Sequence, residues 1–105
     1  MSAPKISVIM PAFNAEKFIK VAIESILSQT FKDFEFLIIN DGSTDKTLEI
    51  IENFKAQDQR IILINREKRG LIASLNEGIS TSRGQYIARM DADDVAAYDR
   101  LEQQV

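Results

Sequence analysis

Phe34-Glu35-Phe36-Leu37-Ile38-Ile39-Asn40-Asp41-Gly42-Ser43-Thr44-Asp45 decides the fold. Four consecutive apolar residues, Phe36 to Ile39, form the core of the best strand in the chain, Phe34 to Asn40. Such a run suits a strand covered on both faces, as in a parallel sheet. It ends in a tight polar turn in which Ser43, Thr44 or Asp45 can each cap a helix, so the helix start stays open over those three residues. That helix is expected to run to about Ala56, with Leu48, Ile51 and Phe54 inward.

The same strand-turn-helix unit recurs on either side. Upstream, Ile6 to Met10 is a short apolar run, and Pro11 is expected to stop its ladder. A loop, Ala12 to Ala15, leads into a helix from Glu16 to near Gln29. Its stripe is Phe18, Ala22 and Ile26, shadowed by Ile19, Ile23 and Leu27. Downstream, Arg60 to Asn65 is a third strand, and Arg66 to Gly70 a charged loop. Leu71, Leu75 and Ile79 mark a third helix, weakened by Gly78, with Gly84 as a stop in the turn beyond it. Tyr86 to Met90 is the fourth strand, and Tyr98 to Val105 opens a further helix.

Strand starts near residues 6, 34, 61 and 86 place a βα unit every 25 to 28 residues. Right-handed crossovers then give an α/β, Rossmann-like parallel sheet with helices on both faces, one domain over 1–105. Ligands of such sheets bind beyond the carboxyl ends of the strands. Pro11 to Asn14, Asp41 to Asp45 and Asp91 to Asp94 all fall on that rim.

The last cluster, Asp91-Ala92-Asp93-Asp94, delivers three carboxylates within four positions. Like charges packed at a strand end require a positive counterpart, and a hard divalent cation with oxygen ligands is the usual one. A solvated acidic turn before a helix is the plainer reading of the motif by itself. Composition narrows the chemistry. The chain has no histidine and no cysteine, which excludes a Ser-His-Asp relay, histidine-ligated zinc and thiolate catalysis. A net charge of -3 argues against a nucleic-acid partner. The longest apolar runs are too short to span a bilayer, and the first residues lack signal-peptide architecture, so a cytoplasmic protein is expected, peripheral to a membrane at most.

Ser7 to Asn14, Ser25 to Thr30, Asp41 to Asp45, Asp91 to Asp94 and Arg100-Leu101-Glu102 together resemble the amino-terminal, donor-binding half of a family 2 glycosyltransferase of the GT-A fold. The resemblance covers essentially the whole chain in order. It implies inverting transfer from a nucleotide diphosphate sugar, usually a UDP-sugar, to an acceptor hydroxyl on a saccharide, lipid or protein. By that resemblance Asp41 accepts the imide N–H of the base, and Pro11 and Ala12 lie against base and ribose. Asp93 is the implied ligand of Mn2+ or Mg2+, with Asp91 contacting the ribose or assisting the metal. Ser43 and Asp45 are left to helix capping. Lys68 and Arg69 read as solvated loop charges, with diphosphate contact as the alternative. Two departures stand out: Asn40 replaces an acid often found there, and Ala96-Ala97-Tyr98 replaces a common proline.

In that family the catalytic base and acceptor site come from segments after the metal motif, and this sequence ends eleven residues after Asp94. The base is therefore expected downstream of Val105, leaving the chain incomplete and inactive alone. The rival reading is a non-enzymatic nucleotide-binding module. A receiver domain would need an acidic pair after strand one, where this chain has Pro11-Ala12-Phe13-Asn14; an Asp-x-Asp phosphatase would need its motif on the first strand, and a dinucleotide oxidoreductase a Gly-x-Gly-x-x-Gly run that the chain does not contain. By the same resemblance the sheet order is third, second, first, fourth strand. Tyr86, Ile87 and Met90 are then expected to face water on an edge that invites a homodimer.

Overall fold

The computed structural model describes residues 3–92. Within them strands and helices alternate: β1 (Ile6–Ala12), α1 (Ile19–Leu27), β2 (Phe34–Asp41), α2 (Thr47–Gln57), β3 (Ile61–Arg66), α3 (Leu71–Thr81) and β4 (Tyr86–Arg89). The sheet is parallel and ordered β3-β2-β1-β4. Two crossovers step one way across it and the third steps back, so α1 and α2 share one face and α3 covers the other. The helix expected over Tyr98–Val105 lies outside the described residues.

The pleat sorts the strand residues between two cores. Ile6, Val8, Met10, Phe36 and Ile38 pack with Ile19, Ala22, Ile23, Ile26 and Ile51 on the α1/α2 face. Ile9, Leu37 and Ile39 form a smaller cluster with Leu75 under α3. That helix comes close because Gly78 faces the sheet; a Cβ there would stand 2.6 Å from Ile9 Cγ2. The glycine that weakens the helix locally is thus what lets it dock.

Several expectations need correction. β1 runs through Pro11 to Ala12 instead of stopping. Ile9 turns its carbonyl to Met90 of the β4 side. Residues two apart point the same way, so Pro11 directs its missing N–H beyond Ile9↔Arg89, the last β1–β4 pair. α1 starts at Ile19, after turns, and Phe18 is 55% exposed. On α3 the buried positions are Ser74 and Gly78, whereas Leu71 and Ile79 are half exposed: close approach favours small residues inward. Tyr86 and Ile87 are exposed as expected, but Met90 is buried against the α1/α2 core.

Candidate functional site

Asp41 ends β2 on the face that carries α3, and its carboxylate organises the next loop. Oδ1 accepts the Arg69 N–H at 2.8 Å and Arg66 Nη2 at 3.3 Å, while Oδ2 accepts the Gly70 N–H at 3.0 Å. Burial pushes this carboxyl's pKa up, but those donors and the Arg66 charge outweigh it and hold it below the ordinary range. Gly70, at φ 98°, stands just before α3. Gly42, at φ 74°, lets the Asp41 turn pass under the loop, since a Cβ there would stand 2.6 Å from Lys68 N.

A pocket of about 230 Å³ opens at this point of the rim. Pro11, Ala12 and Phe13 form one wall, and Asp41, Lys68, Gly70, Leu71 and Ser74 the other. Lys68 Nζ sits 4.1 Å from the centre of the Phe13 ring. Thus three predicted residues, Pro11, Ala12 and Asp41, line a single pocket. Asn40 points to the opposite face and donates its amide to Asn65 Oδ1 at 2.9 Å. The Arg69 side chain is exposed beside Glu67, at 3.8 Å.

The wall after β1 is held by the turn after β2. Asn14, at φ 48°, accepts the Thr44 N–H at 2.8 Å and donates its own N–H to Ser43 Oγ at 3.0 Å. Ala15 N–H reaches Thr47 Oγ1 at 2.8 Å, and Glu16 N–H reaches Asp45 Oδ2 at 3.3 Å. Asp45 accepts the Thr47 N–H at 2.9 Å just ahead of α2, whose N-cap position is Lys46 and carries no side-chain cap. Ser43 instead binds the neighbouring loop, a correction to its expected capping role.

Asp91 follows β4 on the other side of β1 and is not among the residues lining this pocket. Its half-exposed side chain pairs with Arg89 at 3.1 Å. Asp93 and Asp94 lie outside the described residues, and no group of three potential metal ligands occurs among the described ones. The described part of the motif therefore contributes one hard carboxylate, of a kind that fits Mn2+ or Mg2+.

Arg66, Ser74 and Glu77, which tie Asp41 to α3, were not singled out by the sequence reading. Their only trace there is an arginine closing an apolar strand and a polar pair at i, i+3 on the next helix. No helix of the described residues is long and apolar enough to cross a membrane.

Comparisons with known proteins bear on the family and the fold. The pattern of Glycosyl transferase family 2 matches residues 7–105. An uncharacterized glycosyltransferase of Haemophilus influenzae is 46% identical over 102 residues, covering 96% of this chain and 32% of that protein. Glycosyltransferase GlyA of Streptococcus pneumoniae is 40% identical over 98 residues, covering 93% of this chain and 14% of its own length. The chain thus spans a third or less of these relatives. Among solved structures, S. aureus TarS 1-349 in complex with UDP-GlcNAc superposes with a TM-score of 0.88 at 29% identity, over 95% of this chain and 30% of that one. The fold is that of the GT-A glycosyltransferases, with the sheet order expected for them.

Proposed function

Because the chain belongs to glycosyl transferase family 2, we propose that it is the donor-binding part of an inverting transferase that uses a UDP-sugar. One observation carries this reading: an ionised Asp41 and the Pro11-Ala12 wall face each other across a single rim pocket. In it, Pro11 and Ala12 lie against base and ribose, and Asp41 accepts the imide N–H. Lys68, which lines the same pocket, is the candidate for contact with the diphosphate. TarS, whose structure holds UDP-GlcNAc, supports the donor class.

Asp93, with Asp91, would hold Mn2+ or Mg2+, and Asp91 would also reach the ribose. Such an ion, when bound, neutralises charge developing on the leaving diphosphate. The acceptor hydroxyl, on a saccharide, lipid or protein, loses its proton to a carboxylate base. Asp41 is not that base in this reading, because Arg66, Arg69 and Gly70 hold it ionised and its remaining acceptor position takes the imide N–H. We assign the base to no residue of 1–105, so the chain alone binds donor without turning it over. The protein is cytoplasmic in this reading, at a membrane surface where the acceptor is a lipid.

Calorimetry of the chain with UDP, with and without manganese, tests the proposal. Metal should tighten binding in the wild type and add nothing in Asp93→Asn. Equal affinities in all four titrations would sink the metal role. Turnover at an enzymatic rate would place a base inside the chain after all.

A further inference from the structure

Resting on that donor reading, the geometry around Arg66 points to how the nucleobase is chosen. We propose that Arg66 is a positioning residue that selects the base: it pins Asp41 in the pocket wall as a pure hydrogen-bond acceptor, restricting the site to bases that present a ring N–H. Uracil offers its imide N–H and guanine its N1–H, whereas the equivalent ring nitrogen of cytosine is itself an acceptor.

Arg66 closes β3 directly beside Asp41 in the parallel register, on the same face. Its side chain is only 10% exposed. Nη2 donates to Asp41 and to Ser74 Oγ, and Nη1 to Glu77 at 2.7 Å. One guanidinium is therefore fixed at three points on β2 and α3, and a planar fork is the group able to do this. Every donor on Asp41 is a protein N–H. Those donors and the Arg66 charge favour the carboxylate over the acid. Two carboxylate oxygens offer about four acceptor positions. Three are taken by Arg66, Arg69 and Gly70, and the remaining one can only accept.

The backbone donors of Arg69 and Gly70 hold the carboxylate in place, but Arg66 brings the full charge. The other charged groups nearby do not replace it. Lys68 shares the pocket but lies over Phe13, the Arg69 side chain turns to Glu67, and Glu77 stands behind Arg66 on α3.

Titrating the full chain with UDP, GDP and CDP from neutral to acid pH decides the matter. Wild type should prefer UDP or GDP over CDP by at least about tenfold, because an unpaired buried acceptor penalises the wrong base. The UDP and GDP arms separate the two sources of a ring N–H. In Arg66→Met that preference should shrink at least about fivefold, and the acid loss of UDP binding should begin at higher pH. Arg66→Lys should restore part of both, and it serves as the readable variant if Arg66→Met does not fold. Wild-type selectivity and pH profile in a folded Arg66→Met, or in Arg66→Lys when that is the readable variant, would overturn the role of Arg66 and leave the donor reading standing. Equal binding of CDP and UDP by the wild type would overturn the role of Arg66 and the imide contact of Asp41 together, leaving only a nucleotide site. No binding of any of the three nucleotides would overturn the donor reading as well.

Discussion

Asp41 and Glu35 leave the same face of β2 at its two ends, six residues apart. Both are buried, and both are held ionised although burial alone would push them toward the neutral form. For Glu35 the opposing donors are Ser7 Oγ at 2.6 Å, the Arg83 N–H at 2.6 Å and Arg83 Nε at 3.2 Å. Ser7 Oγ in turn accepts the Gly84 N–H at 2.8 Å. A Cβ on Gly84 would stand 2.5 Å from Ser7 N. Glu35 is thus a clasp that fixes where β4 enters the sheet, at the amino end where no ligand is expected. Asp41, built from the same chemistry, borders the rim pocket. A buried, ionised, well-bonded acid is therefore not a site by itself; its end of the strand decides which it becomes.

The largest expected effect separates the two by stability. Glu35→Ala should cost about 2–4 kcal/mol, because it strands the Ser7 hydroxyl and the Arg83 N–H in a buried place. Urea unfolding measures the loss, and hydrogen exchange should show the amides of Tyr86 to Arg89 opening first. Donor affinity of the remaining folded protein should not change. If it falls with the stability, the clasp and the pocket are one unit and the contrast fails.

Asp41→Ala should do the converse, weakening uridine nucleotide binding by about 1.5–3 kcal/mol as a charged acceptor is lost. Calorimetry under conditions where both proteins are fully folded reads this directly. Unchanged affinity would reduce Asp41 to a second clasp, tying the loop after β3.

Acid sharpens the comparison. Both folded pKa values are depressed, so each carboxylate stabilises the fold fully above its ordinary value, 4.5 for Glu35 and 3.8 for Asp41. That contribution fades as pH falls below those values and through the lower folded ones. Unfolding free energy should therefore decline in that window, and Glu35→Gln or Asp41→Asn should each flatten the slope. Only Asp41→Asn should also remove the acid loss of UDP binding; if Glu35→Gln does so too, the ends are coupled.

The smallest effect concerns β4, the strand that the Glu35 clasp positions. Its exposed Tyr86 and Ile87 lie on an edge that we expect to pair with a second copy. Ile87→Lys should shift sedimentation toward monomer while changing stability by less than about 0.5 kcal/mol, as for other exposed sites. A wild type that is already monomeric at tens of micromolar would remove the edge from the account.

The alternation of strands and helices, the parallel sheet and the acids on its rim were legible because each rests on a local period or a turn next in sequence. The four apolar stretches beginning near residues 6, 34, 61 and 86 became the four strands of the described chain. Pro11, Ala12 and Asp41 could be placed on one rim for the same reason. The errors came where packing overrode pattern: Phe18 turned outward, Met90 inward, and α3 rotated to set Ser74 and Gly78 on the sheet.

What tertiary structure alone decided is who holds the acids. Arg66 meets Asp41 across 25 residues, Arg69 meets it across 28, and Arg83 meets Glu35 across 48. No periodicity links such positions, because the sheet register and the crossovers bring them together. The sequence by itself determined that acids stand at the strand ends, since hydrophobic period and chain order fix that much. Only the fold made one of them a clasp and gave the other an arginine and a pocket, because both outcomes depend on contacts between elements that are distant along the chain.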